Sequence, residues 1–126
     1  MKSFVITVII GICMVTGSIF YTNHLKSESD KLSDITDQIK ICVKNDDYNG
    51  ATQQLDQLKK SVDKFEKFFL ATGDHIEIDN IKINIAELDS FIKHEKKSDA
   101  ISKIYVLEFL FSHLPHNSEV KIGNIL

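Results

Sequence analysis

From Phe4 to Tyr21 the chain reads FVITVIIGICMVTGSIFY, eighteen residues without a charge. As a helix rising about 1.5 Å per residue this run is about 27 Å long, close to the ~30 Å hydrocarbon core of a bilayer. The run therefore predicts a transmembrane helix within residues 1–22, with Tyr21 placed where an interfacial aromatic belongs. A cleaved signal peptide is the rival reading, with Thr16 and Ser18 as the small residues before a cut. Against it, the run exceeds the ~7–15 residues of a signal-peptide core, and Ile19 and Phe20 continue it past the candidate site. Cys13 follows Ile12, not the small residue that a lipoprotein signal would place there. Lysine counting is nearly balanced across the two flanks. The segment begins at the initiator methionine, as a signal anchor does. On that ground the expected topology is a single-pass cell-membrane protein, N-terminus inside, with the rest of the chain extracytoplasmic.

The remainder, roughly 100 residues, suffices for one modest core. Its apolar residues recur in threes and fours, the period of a helix face. The first segment carries Leu25, Leu32, Ile35, Ile39 and Cys42 and ends at Asn45, Asp46 and Asp47, which also offer caps for the next helix. The second carries Ala51, Leu55, Leu58, Val62, Phe65 and Phe69 behind Tyr48, a regular heptad seam. On its exposed side Asp56 precedes Lys60, and Asp63 precedes Lys67, by four residues. Gly73 stops it. The third carries Ile78, Ile81, Ile85, Leu88 and Ile92. The fourth, capped by Ser98 or Asp99, carries Ala100, Ile104, Leu107, Phe111 and Leu114, and Pro115 is expected to end it. No stretch alternates at period two. The expected fold is all-α: one N-terminal transmembrane helix, then an up-down four-helix bundle over residues 23–114. The tail, residues 115–126, would dock on the bundle or near the membrane. An offset of 52 residues places Asp47, Leu55, Leu58 and Val62 on Asp99, Leu107, Leu110 and Leu114. Two helical hairpins produce such a repeat, and so does any pair of capped amphipathic helices.

Charge narrows the function. All 15 basic residues are lysine, against 18 acidic residues, for a net charge of -3. Without arginine the chain lacks the planar fork that grips phosphate bidentately, and no basic patch is present, so no nucleic-acid partner is expected. The Lys-, Ile- and Asn-rich usage resembles a low-GC bacterial proteome. The densest polar cluster is His75, Glu77, Asp79 and Asn80. His75 and Asp79, four apart, are the one pairing with helical metal-ligand spacing. Two ligands do not make a site, however, and Asp74 with Glu77 has capping-box spacing, so a helix start is the preferred reading. No nucleophile has a local partner arrangement, and no glycine-rich phosphate loop is present. No catalytic residue, metal or cofactor is expected, and the chain is not read as an enzyme.

Cys13 and Cys42 lie about 44 Å apart if one helix carries both, too far for a disulfide. Cys42 shares a face with Ile39 and is expected in the core. The phenylalanines read mainly as core. Phe68 and Phe109 fall beside their seams, where they would form an exposed partner patch.

With these motifs on view a family resemblance emerges. After the short anchor come Asp47-Tyr48-x-x-Ala51, HIEIDNI from His75 to Ile81, SHLP from Ser112 to Pro115, and Asn124-Ile125-Leu126. The chain resembles the Firmicute family known as domain of unknown function 4363. Members typically carry a tryptophan or other aromatic in the second helix, where Phe65 and Phe69 stand here. The resemblance implies a helical, membrane-anchored bacterial protein and supplies no catalytic residues. The leading functional expectation is a structural or protein-interaction module displayed at the membrane, bound to another protein. The alternative is a small-ligand or metal-sensing bundle acting through a partner protein.

Overall fold

The computed structural model describes the backbone of residues 1–69 and 75–125 and the side chains of residues 1–67 and 76–114. Its elements are α1 (Lys2–Lys44), α2 (Tyr48–Phe69), α3 (His75–Lys93) and α4 (Lys97–Ile125), with no strand among the described residues. The chain is all-α, as its periodicity predicts. Each helix packs on the next, and α4 closes the ring on α1, an up-down-up-down bundle.

The apolar run and the first bundle helix are one element. α1 continues for 43 residues without a break. From Met1 to Phe20 every residue is exposed, whereas Leu25 is fully buried and Tyr21 packs against the edge of the core. The N-terminal part of this helix is long and apolar enough to cross a membrane.

Four stripes fill the core, and three match the sequence reading. α2 contributes Ala51, Leu55, Leu58, Val62 and Phe65; α3 contributes Ile78, Ile81, Ile85, Leu88 and Ile92; α4 contributes Ala100, Ile104, Leu107, Phe111 and Leu114. The stripe of α1 differs. Its buried members are Leu25, Ser29, Leu32, Thr36, Ile39 and Val43, so Ile35 and Cys42 fall to the side, half-buried. Two polar residues occupy seam positions, and a search for apolar residues alone slips off the seam there. Cys42 is a free thiol, pushed above the usual thiol range first by burial and then by the Asp47 carboxylate.

Pro115 does not end α4, contrary to expectation; the helix runs on to Ile125. A proline inside a helix removes the N–H that would bond the carbonyl four residues back, here that of Phe111. Ser29 repairs the loss: its buried hydroxyl donates to the Phe111 carbonyl at 2.5 Å. A buried carbonyl left unpaired costs about 1–3 kcal/mol, so the serine on α1 and the proline on α4 belong together.

Both hairpin turns share one construction. After α1, the N–H of Asp46 bonds the Val43 carbonyl and that of Asp47 the Cys42 carbonyl (3.1 and 2.8 Å). After α3, Glu95 bonds Ile92 and Lys96 bonds Phe91 at the same two distances. This is the Schellman ending, and its left-handed residue is Asp46 (φ 59°) in one turn and Glu95 (φ 54°) in the other. The turns lie 49 positions apart, not 52, and 49 residues are seven heptads. At this offset every buried position from Ser29 to Phe65 falls on a buried position from Ile78 to Leu114. The bundle is two equivalent hairpins, α1–α2 and α3–α4. The helix starts align as well, although lysine, with no acceptor, cannot cap as aspartate does. Asp47 accepts the Gly50 N–H at 3.0 Å, and its equivalent Lys96, not Ser98 or Asp99, precedes α4. A Cβ on Gly50 would collide with the Asp47 carboxylate, so glycine is what lets the cap close.

Candidate interaction surface

Only part of the polar cluster singled out from sequence lies among the described side chains. Asp79 is exposed on α3, Glu77 is half-buried and already engaged, and the side chain of His75 lies outside the described residues, as does the proposed cap Asp74. No group of three or more potential metal ligands occurs among the described residues.

Among the described residues the expected i, i+4 pairs of α2 do not form, and several ion pairs link neighbouring helices instead. Between α1 and α4, Lys40 bonds Glu108 at 2.7 Å and lies 4.8 Å above the Tyr105 ring. Between α2 and α3, Lys59 bonds Asp89 at 3.0 Å, and Lys82 pairs with Glu66. Lys40 and Asp89 are equivalent at the 49-residue offset, as are Glu108 and Lys59. The same cross-helix pair thus occurs in both halves with its polarity reversed. The hydrogen bond to Glu108, partly opposed by burial, holds Lys40 above the usual lysine range. Burial alone would raise Asp89, but the Lys59 and Lys93 ammoniums outweigh it and hold the carboxyl below its usual range.

A surface groove of about 340 Å³ opens between α2 and α3, lined by Lys59, Val62, Asp63, Lys82, Ile85 and Asp89. At the equivalent place between α1 and α4, the fully buried Phe111 stands where Val62 stands here. Lys59 and Lys82 already have carboxylate partners at the groove, so its cations are spoken for.

The outer side of α4 has a different character. Phe109 is 60% exposed, Tyr105 53% and Val106 41%. His113 stacks on Phe109 with ring centroids 4.1 Å apart and hydrogen-bonds the Phe109 carbonyl through Nδ1. On α2 the equivalent positions hold Lys60, Asp56 and Gln57, all exposed. The bundle does not require an apolar residue at these places, because α2 does without one. The sequence reading picked out Phe109 correctly as lying beside its seam. Phe68 lies outside the described side chains. Tyr105 and Val106 were missed, although comparison with α2 at the right offset would have exposed them.

A family model described as Domain of unknown function (DUF4363) matches residues 19–125. The chain belongs to this family. The DUF4363 match takes in all four bundle helices and the last residues of the apolar run, so both hairpins are family structure. No curated protein and no solved structure matches the chain.

Proposed function

We propose that this DUF4363 protein is a single-pass membrane protein whose bundle serves, outside the cytoplasm, as a structural or protein-interaction module and not as an enzyme. The observation that carries the reading is the apolar outer face of α4 at positions where α2 is charged or polar. Contiguous exposed apolar surface rimmed by polar residues is the mark of an interaction site. The charge-free run from Phe4 to Tyr21 in α1 supports the anchor, and the unbroken α1 supports a bundle held close to the bilayer.

The test has two parts. Intact-mass measurement of membrane-extracted protein should find the N-terminus retained, and a mass starting near Ile19 would replace the anchor with a cleaved signal. Protease added to intact cells should reach the bundle; full protection until lysis would reverse the topology. A small-ligand role is the second reading, favoured only by the α2–α3 groove. It predicts that a Lys59→Met or Asp89→Asn variant loses in-cell function while Phe109→Asp does not.

A further inference from the structure

α4 carries a second seam on the side away from its core. Ser98, Ser102, Tyr105, Phe109 and Ser112 are all exposed and follow one another at steps of four, three, four and three. That is the spacing of a coiled-coil face. The equivalent line on α2 reads Asn49, Gln53, Asp56, Lys60 and Asp63, equally exposed but polar and charged. A solvated helix face is normally of the α2 kind. On α4 the charges are replaced by hydroxyls and two aromatic rings.

We infer that this outer seam of α4 is where a second copy of the same chain docks, parallel, in the same membrane; the inference rests on the anchored-module reading above. Three observations select a second copy over another occupant. First, none of the five seam residues carries a fixed charge, and the Lys40 ammonium above the Tyr105 ring is paired with Glu108, so identical residues can meet across a twofold axis without like-charge repulsion, as an isologous contact requires. Second, the flanking positions are self-complementary in the parallel register. In a parallel pair the residue before one core position faces the residue five further along on the other helix. Ile101 then faces Val106 of the other copy, apolar on apolar, while Glu108, paired with Lys40 of its own chain, brings no unpartnered charge to His113. In an antiparallel pair the Ile101–Val106 match is lost. Third, an anchor continuous with α1 gives every copy in one bilayer the same orientation and height. The α4 seams therefore meet in register. The seam is only about 21 Å long from Ser98 to Ser112, too short for a strong helix pair in water. Confinement to a membrane raises the effective concentration and makes a weak contact sufficient.

The experiment uses the full chain in native membranes, with Cys13→Ala and Cys42→Ala removing the existing thiols. Single cysteines are introduced by Tyr105→Cys and Phe109→Cys on α4, and by Asp56→Cys and Lys60→Cys on α2. Under mild oxidation the α4 cysteines should form disulfide dimers at least ten times faster than the α2 cysteines, at unchanged helix content. As a cysteine-free readout, single-molecule photobleaching of the labelled chain in vesicles of neutral phospholipid should show two steps. With Phe109→Asp it should show one. Equal crosslinking on both faces, or one-step bleaching of the parent chain over the range of protein-to-lipid ratios, overturns the dimer. If the Phe109→Cys variant crosslinks instead to a different protein, the dimer is overturned while the interaction-module reading stands. If the chain is released from membranes by alkaline carbonate, the anchored-module reading itself fails.

Discussion

The two hairpins agree inside and disagree outside. Every buried position of α1–α2 from Ser29 to Phe65 has a buried counterpart 49 residues on in α3–α4, and the two turns share their hydrogen bonds. Outside, Ser27, Asp34, Asp56, Gln57 and Lys60 of the first hairpin face Ile76, Ile83, Tyr105, Val106 and Phe109 of the second, all exposed. Packing demands explain what the halves share. They cannot explain the difference, because solvent accepts the polar set. Each hairpin serves as the other's control, and the apolar exterior of α3–α4 is a property added to the fold.

The largest effects should test the shared interior. Phe65→Ala in the first hairpin and Phe111→Ala in the second should each cost ~3–5 kcal/mol, the range for truncating a buried aromatic. Urea unfolding followed by circular dichroism should show one cooperative transition in both variants. Separate transitions for the two would break the equivalence and make each hairpin an independent folding unit.

A smaller effect tests one of the places where the interiors diverge. The counterpart of Ser29 is Ile78, and the counterpart of Pro115 is Glu66, which has its own N–H. Ser29→Ala should cost ~1–3 kcal/mol, since it orphans the buried Phe111 carbonyl. The same change made together with Pro115→Ala should cost far less, because the restored N–H takes over the bond. A double-mutant cycle with zero coupling would show that the two residues are unrelated.

The reversed ion pairs should separate the halves by pH. Lys40 titrates above its ordinary 10.5, so the stability it lends is complete below that pH and is lost as pH rises through the raised value. Asp89 titrates below its ordinary 3.8, so its contribution is present above that pH and is lost as pH falls through the lowered value. Each partly exposed pair should be worth ~0.2–1 kcal/mol. Lys40→Met should flatten the alkaline limb of the stability profile, and Asp89→Asn the acid limb. The opposite assignment would refute the account of the two pairs.

The least change is expected at the turns. Glu95→Gly should stabilise the protein by up to ~1 kcal/mol, because a glutamate in the left-handed region pays a steric penalty that glycine avoids. Asp46→Gly should gain less, since aspartate tolerates that conformation better and Asp46 also bonds Lys97 at 3.3 Å. A destabilised Glu95→Gly would mean that the Glu95 side chain contributes more than its backbone strain.

Much of this bundle is legible from periodicity alone. Three of four seams follow from residue spacing, as does the all-α class, and Asp47 is one of the three cap candidates the sequence offers before α2. What was hidden has a common cause: the deciding partner is distant in sequence. Pro115 reads as a stop because nothing near it announces Ser29. Ser29 and Thr36 look like surface residues because hydroxyls at seam positions carry no apolar signal. Thr36 bonds the Leu32 carbonyl of its own helix at 2.7 Å and so enters the core with its hydroxyl satisfied. The repeat was read at 52 rather than 49 because a shift of three keeps a residue near the same helix face, laying apolar on apolar in either register. The turn hydrogen bonds and the burial pattern separate the two: at 52 the buried Val43 falls on exposed Glu95, and at 49 on buried Ile92. The outer seam of α4 was half visible through Phe109, and the correct register was needed to see that α2 is polar along the same line.

With its N-terminal run in a bilayer, the unbroken α1 would make the protein a lever. Its bundle portion extends about 34 Å beyond Tyr21, and no loop intervenes to absorb bending. A tilt of ~20°, ordinary for a membrane helix, would swing the far end of the bundle sideways by about 12 Å. Bilayer thickness, through the angle it imposes on one helix, would then set where the distal turns at Asp46 and Glu95 stand above the membrane.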